Sequence, residues 1–349
     1  MVEELARLET EVRKNLGVVV VDTLGVFWTL AYDADGKPGD SGVPIRLFVP
    51  EDAVERARAP GVRVLSYAVR VADLSGAAWC RLFGLPPMEP VGIAMAQAVE
   101  AVRERSASFS LDDLQEWLTR CSQADAMTRT AAGMLFATAA SWGVFSEDGV
   151  DIHEIVRPGE VSVLDLSSLP SLELKDLVVA LLADQVFEAR VAARRAYEQE
   201  RLGMKQGSGG MPMTWLAVDE AQVFLPSGGG TRCREVLVGK WMRQGRQPGL
   251  SLVVATQRPS AIDEEVFAHS DLVVCHRVTA QEDLDALSRI RPEYLAGDIR
   301  GLVRQLGREK GVAVLLDDTS ESAHVVRVRP RLTWHAGEES IALHPNMER

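Results

Sequence analysis

Met213-Thr-Trp-Leu-Ala-Val-Asp-Glu-Ala-Gln-Val-Phe-Leu-Pro226 is a short apolar run that stops at two adjacent carboxylates, Asp219 and Glu220. An apolar run of about four to eight residues bounded by turn signals reads as a buried strand of a parallel sheet. In an open α/β sheet, ligands bind outside the carboxyl ends of such strands. Two acids placed there carry a desolvation cost unless a cation sits opposite, commonly magnesium. The pair therefore suggests a nucleotidase site, with Asp219 holding Mg²⁺ through water and Glu220 orienting the attacking water. The plainer alternative is a strand end whose acids cap the next helix.

Outward from this stretch, the 349 residues can bury one large core or two smaller ones. A hydrophobic share of 46% with 25% charged residues is that of an ordinary globular protein. No apolar segment approaches the roughly 20 residues of a membrane helix, and the N-terminus, Met1-Val-Glu-Glu-Leu-Ala-Arg-Leu-Glu, is charged and amphipathic, unlike a signal sequence. A cytoplasmic location, with no membrane partner, is the expectation. Cys80, Cys121, Cys233 and Cys275 are scattered without a C-x-x-C pair and read as buried free thiols. No H-E-x-x-H spacing marks a metal site. The net charge of −12 argues against a generally basic nucleic-acid surface. It leaves room for DNA in a ring whose basic residues line a central channel.

In chain order, Val2, Leu5, Leu8 and Val12 fall at helical spacing, predicting one amphipathic helix over 2–14 closed by Asn15-Leu-Gly17. Val18 to Asp22 reads as a buried strand, so the chain reads as opening inside a βαβ unit. Residues 33–44 form a turn-rich loop, and Ile45–Val49 and Val62–Val69 read as strands. Asp73-Leu-Ser75 can cap a helix from Gly76. Helical patterns follow at 88–105, 111–121 and 125–141, with Ser110-Leu-Asp-Asp113 at capping-box spacing. Strand character returns at Glu160–Leu166, followed by a helix over 173–202. The polar end of that helix (Arg190, Arg194, Arg195, Glu198, Arg201) reads as a solvated face, with a DNA-facing role as the sharper alternative. Flexible loops at 205–211 and 226–230 flank the Asp219 strand, and Arg232–Gln244 reads as a helix. Further strands are expected at 250–256, 271–277, 311–316 and 324–329, before a polar tail. The organisation expected is a first core part at 1–74, a helical insert at 75–145, a second core part at 146–330 and a C-terminal arm at 331–349.

Strands alternating with helices predict an α/β fold with a mostly parallel central sheet. Asp22, Asp219, Glu220 and Gln257 then line one edge of it. The amide of Gln257 can donate to a γ-phosphate and accept from a water, although a turn residue bonding its own loop would look the same.

Trp215-Leu-Ala-Val-Asp-Glu-Ala-Gln222, Arg243-Gln-Gly-Arg-Gln-Pro-Gly249 and Val253-Val-Ala-Thr-Gln-Arg-Pro-Ser260 resemble the HerA/FtsK superfamily of ring-forming DNA translocases, and most closely the HerA-type ATPases carrying the DUF87 domain. Val19-Val-Val-Asp-Thr-Leu-Gly-Val-Phe27, Val161-Ser-Val-Leu-Asp-Leu-Ser167 and Arg327-Val-Arg-Pro-Arg331 extend the likeness over most of the chain. The resemblance implies a RecA-like P-loop NTPase fold, a hexameric ring, ATP and Mg²⁺ as cofactors, and ATP-driven movement of double-stranded DNA in processing or repair. A nuclease of the NurA type is an implied partner. By the same resemblance Asp219 matches the Mg²⁺ acid, Glu220 the catalytic glutamate and Gln257 the sensor. Arg246, with Arg243 as second choice, matches the arginine finger offered to a neighbouring subunit. From the residues alone, Arg243 and Arg246 read as a pair favoured by a helix C-terminus.

One departure is large. The phosphate loop G-x-x-x-x-G-K-[ST] is not in this sequence. Its only Gly-Lys pairs, Gly36-Lys37-Pro38 and Gly239-Lys240-Trp241, lack the following Ser or Thr. The N-terminal β-barrel of the resembled family is likewise not in these residues. The chain thus reads as an ATPase core whose first strand and phosphate loop are missing, with weak ATP binding, little turnover and an exposed apolar sheet edge as consequences. Two competing expectations stand beside the DNA motor: a non-catalytic remnant that keeps ring contacts, and a motor for a substrate other than DNA.

Overall fold

The computed structural model describes residues 1–39, 43–204, 210–289, 299–307 and 309–334. Parts of three expected segments, 40–42, 205–209 and 335–349 of the C-terminal arm, lie outside the described residues.

The helix expected over 2–14 is two short ones, Val2–Ala6 (α1) and Thr10–Arg13 (α2). Leu5 is buried against the sheet, whereas Leu8 and Val12 stay exposed. The helix breaks where its apolar stripe no longer meets a surface that could bury it. The chain then enters β1 (Leu16–Asp22), β2 (Ile45–Val49) and β3 (Arg63–Ser66). The strand expected over 62–69 is likewise divided: after β3 the chain turns at Tyr67-Ala68 into the two-residue β4 (Val69–Arg70).

Four helices follow: α3 (Gly76–Leu82), α4 (Pro90–Arg103), α5 (Leu111–Arg120) and α6 (Ala126–Ala140). Local chemistry starts three of them. Ser75 caps α3, the reciprocal Ser110/Asp113 box caps α5, and Asp125 caps α6 through the N–H groups of Met127 and Thr128. Glycine is needed at position 76, where a Cβ would stand 2.4 Å from the Ala96 Cα, so the close approach of α3 and α4 depends on it. Beyond them, β5 (Phe145–Ser146) pairs in parallel with β4 and closes the base of this helical region.

The chain continues through α7 (Ile152–Ile155), β6 (Val161–Asp165), the long α8 (Leu172–Arg201) and β7 (Met213–Val218). A helix over 232–244 follows, π-helical from Arg234 to Met242, and leads to β8 (Leu250–Val254). Last come α9 (Glu264–Ala268), β9 (Leu272–His276), α10 (Gln281–Leu287), α11 (Ile299–Gln305), β10 (Val312–Asp317) and β11 (Ser322–Arg327).

Six strands form one sheet in the order β3-β2-β6-β1-β7-β8, and every adjacent pair is parallel. All seven residues of β1 are buried. Val19 and Val21 face a core shared with α8, the π-helix and α3–α6, while Val18 and Val20 face a thinner core with Leu5, Leu30 and Tyr32. Burial on both faces explains why the strands read as unbroken apolar runs. The strands β11-β10-β9 make a separate antiparallel sheet packed on α10 and α11. Among the described residues, β8 has no strand on its outer side.

Two arginines are buried that composition would place on the surface. Arg46 of β2 pairs with Glu160 at 2.7 Å and donates to the carbonyl of Ile155. Arg190 was expected on a solvated helix end, yet it is only 8% exposed. It donates to the Pro248 carbonyl at 2.8 Å and to the Met211 carbonyl, tying together the entries to β7 and β8. A guanidinium offers five fixed donors, so it can gather carbonyls that have no strand partner.

Candidate active site

Parallel pairing brings four strand tips level. Asp22 is in register with Asp165, Val21 with Val218, and Val218 with Val254. Past the end of β7, the Ala221 N–H donates to the Ala255 carbonyl at 2.9 Å, which holds the 219–221 turn beside the end of β8. Asp22, Asp165, Asp219, Glu220, Thr256 and Gln257 therefore share one edge of the sheet.

Glu220 is the geometric centre of the group. Its backbone is left-handed, with φ 48° and ψ 45°, a conformation that costs a non-glycine residue roughly 1–2 kcal/mol. Its carboxylate accepts from Gln257 Nε2 at 2.6 Å and from Gln222 Nε2 at 2.5 Å. Gln222 is fixed in turn by Thr256, whose hydroxyl donates to the Gln222 Oε1 at 2.6 Å. Strain at a carboxylate gripped by two amides is the kind of feature that gathers at functional sites.

Asp219 is half-buried. Burial pushes its carboxyl up from the ordinary aspartate value, and the neighbouring Glu220 charge adds to the push. No lysine or arginine pairs with Asp22, Asp165, Asp219 or Glu220 among the described residues. The described residues also hold no cluster of three or more metal-ligating side chains. An acid pair with no protein cation and no closed ligand set suits Mg²⁺, which keeps several waters and takes one or two carboxylates alongside phosphate oxygens. A triphosphate is less well provided for, because no backbone cradle of the phosphate-loop type occurs in the sequence.

Asp22 has backbone partners of its own. It is fully buried, and its oxygens accept from the N–H groups of Leu24, Gly25 and Phe27 at 2.8–3.1 Å. Burial, helped by the charge of Asp165, raises its carboxyl to about 6 against the pull of those donors. Asp22 thus organises the turn that leaves β1.

The two arginines stand elsewhere. Arg243 ends the π-helix and pairs with Glu265 of α9 at 2.7 Å. Arg246 is exposed, with no side-chain partner among the described residues. The backbone of Gly245 and Arg246 lies at the entry to β8, where the Leu250 N–H donates to the Gly245 carbonyl at 2.8 Å and the Gly249 N–H to the Arg246 carbonyl at 3.3 Å.

Gln222, Thr256 and Asp165 were not singled out in the sequence. The first two stand in stretches that were noticed for their neighbours, and only the turn at Glu220 brings them together.

Over 91% of its length the chain is 25% identical to the DNA double-strand break repair helicase HerA of Pyrococcus furiosus. The chain is similar to HerA. It spans 65% of that relative. A stretch of 118 residues, 34% of this chain and 22% of the relative, is 25% identical to the HerA of Sulfurisphaera tokodaii. Similarity to HerA relatives over nearly the whole chain agrees with the HerA/FtsK resemblance carried by the motif residues. No family model matches the chain. Among solved structures, the plasmid coupling protein TrwB in complex with the GTP analogue GDPNP aligns over 95% of this chain and 90% of its own, at 10% identity and a TM-score of 0.49. No described helix is long and apolar enough to cross a membrane.

Proposed function

We propose that this chain is the ATPase core of a HerA-type DNA translocase or helicase, acting on double-stranded DNA in repair or processing. The observation that carries the proposal is the Asp219–Glu220 pair at the tips of the central strands, with Glu220 held in a left-handed turn by the amide of Gln257. Asp219 is assigned to Mg²⁺ through water. When bound, that ion would neutralise charge on the phosphate oxygens of ATP. Glu220 orients the attacking water, which it can do because its carboxylate accepts hydrogen bonds at a fixed place. Gln257 carries an amide able to face both water and phosphate.

Arg246 is the arginine finger in this proposal, ahead of Arg243. Arg246 is free among the described residues, whereas Arg243 would first have to leave Glu265. Through the resemblance the finger acts on a neighbouring copy, hence a ring, and contributes about 10³–10⁵ in rate. A hexamer, and a nuclease partner of the NurA type, belong to this proposal through the resemblance. The free outer edge of β8 is the seat assigned to the strand that carries the phosphate loop in the resembled family.

This chain alone is expected to hydrolyse ATP no faster than background, because the backbone grip on the β- and γ-phosphates is not among its residues. The test is a phosphate-release assay of the chain with Mg²⁺ and ATP. A measurable rate that disappears in Glu220→Gln would overturn the expectation of inactivity.

A further inference from the structure

The hydrogen bonds around Glu220 form a chain with one direction. The Arg258 N–H donates to Thr256 Oγ1 at 3.0 Å, and Thr256 Oγ1 donates to Gln222 Oε1 at 2.6 Å. At the other end of that amide, Gln222 Nε2 meets Glu220 Oε2 at 2.5 Å. Gln257 Nε2 meets the other oxygen, Oε1, at 2.6 Å. An amide can be flipped end for end at little cost unless its partners decide otherwise. Here the Glu220 carboxylate decides, because it can only accept and so takes Nε2, which leaves Oε1 to accept from the Thr256 hydroxyl.

We propose that Gln222 is a positioning residue for Glu220 and that Thr256 anchors the far end of its amide. The proposal rests on the assignment of Glu220 as the water-orienting carboxylate. Two amides, one on each oxygen, hold the carboxylate plane in one rotation. A lone Gln257 would leave it free to swing about that single bond. Successive donors also polarise one another, so the grip of Gln222 depends on the whole run from Arg258. The link joins the end of β7 to the turn after β8. A displacement of the 256–260 turn then reaches the carboxylate by two routes, directly through Gln257 and through the Thr256–Gln222 link.

The test needs no nucleotide, so its failure is separate from failure of the ATPase assignment. Side-chain NMR of the full chain, with ¹⁵N in glutamine amides and ¹³C in the glutamate carboxylates, reads the link directly. In the unsubstituted chain the Gln222 and Gln257 amide protons should exchange about tenfold or more slower than exposed amides, as donors to a charged group do. Thr256→Val should remove that protection from Gln222, leave it on Gln257 and move the Glu220 carboxyl resonance. Thr256→Ser, which keeps the hydroxyl, should restore all three signals. Gln222→Leu should reproduce the carboxyl shift of Thr256→Val, and the two together should add nothing further. A backbone spectrum of each variant confirms that it is folded. Unchanged Gln222 protection in Thr256→Val, or a Glu220 carboxyl signal indifferent to Gln222→Leu, would overturn the proposal.

Discussion

At the residue scale, Glu220 pays for its position in backbone strain. Glycine takes φ near 48° without the Cβ clash, and the two amides that hold the carboxylate can bond to water instead. Glu220→Gly is therefore expected to stabilise the chain by roughly 0.5–1 kcal/mol in urea unfolding, while Glu220→Ala, which keeps the strain, gives no gain. A loss of stability in the glycine variant would show that the carboxylate holds the turn together. Asp22 makes a pH prediction. Its carboxyl is raised from 3.8 to about 6 in the folded chain. A raised acid contributes stability that is complete below the unfolded value and is lost as pH rises through the folded one. The stability of the unsubstituted chain minus that of Asp22→Asn should fall by about 2 kcal/mol between pH 4 and pH 7, read from paired urea titrations.

At the element scale, the decisive feature is an edge. Among the described residues β8 ends the parallel sheet, and the Ala255 N–H and Gly249 carbonyl that flank it both bond to β7, so alternate backbone groups between them face outward. Open strand edges recruit other strands. Sedimentation should show self-association that rises with concentration and weakens in Ser251→Lys, since a lysine on an edge strand blunts pairing. A monomer at every concentration would mean that the edge is covered. The long apolar runs made these strands legible in the sequence, because strands buried on both faces need no alternation. The break between α1 and α2 was not legible. Periodicity reports which residues could share a face but not whether a surface waits opposite, and none waits at Leu8 and Val12. The π-helical course of 234–242 was equally hidden, since the same apolar spacing suits an α-helix.

At the scale of the whole molecule, the two ends of the described chain are tied together. Glu3 accepts from the Leu332 and Thr333 N–H groups and the Thr333 hydroxyl, and Arg329 pairs with Glu3 at 3.1 Å and Glu4 at 2.5 Å. Trp334 packs edge-on against Trp28, just past the turn that Asp22 organises. Burial pushes the Glu3 carboxyl up, but the bonds from Thr333, Leu332 and Arg329 outweigh it and hold the group below its ordinary value. A lowered acid contributes stability above its unfolded value and loses it as pH falls further. Hydrogen exchange at 332–334 should thus be slow at neutral pH, and the clasp should weaken as pH falls below about 4.5. Glu3→Ala at pH 7 should speed exchange there about tenfold or more. Unaltered exchange would show that the pairing of Thr333 with Asp33 and the Trp334 N–H bond to Tyr32 hold the segment without Glu3.

The sequence by itself determined the parallel α/β class, the acids at one strand end, the glutamine after the next strand and the likeness to HerA, because apolar runs and their terminal residues are local properties of the chain. Tertiary structure alone decided what each polar group faces. It turned Asp22 into its own loop, buried Arg190 between two strand entries, paired Arg243 with Glu265, and joined Gln222 and Thr256 to Glu220. Hydrogen-bond partners depend on backbone direction at turns and on residues distant in the chain, and neither is written in spacing or composition.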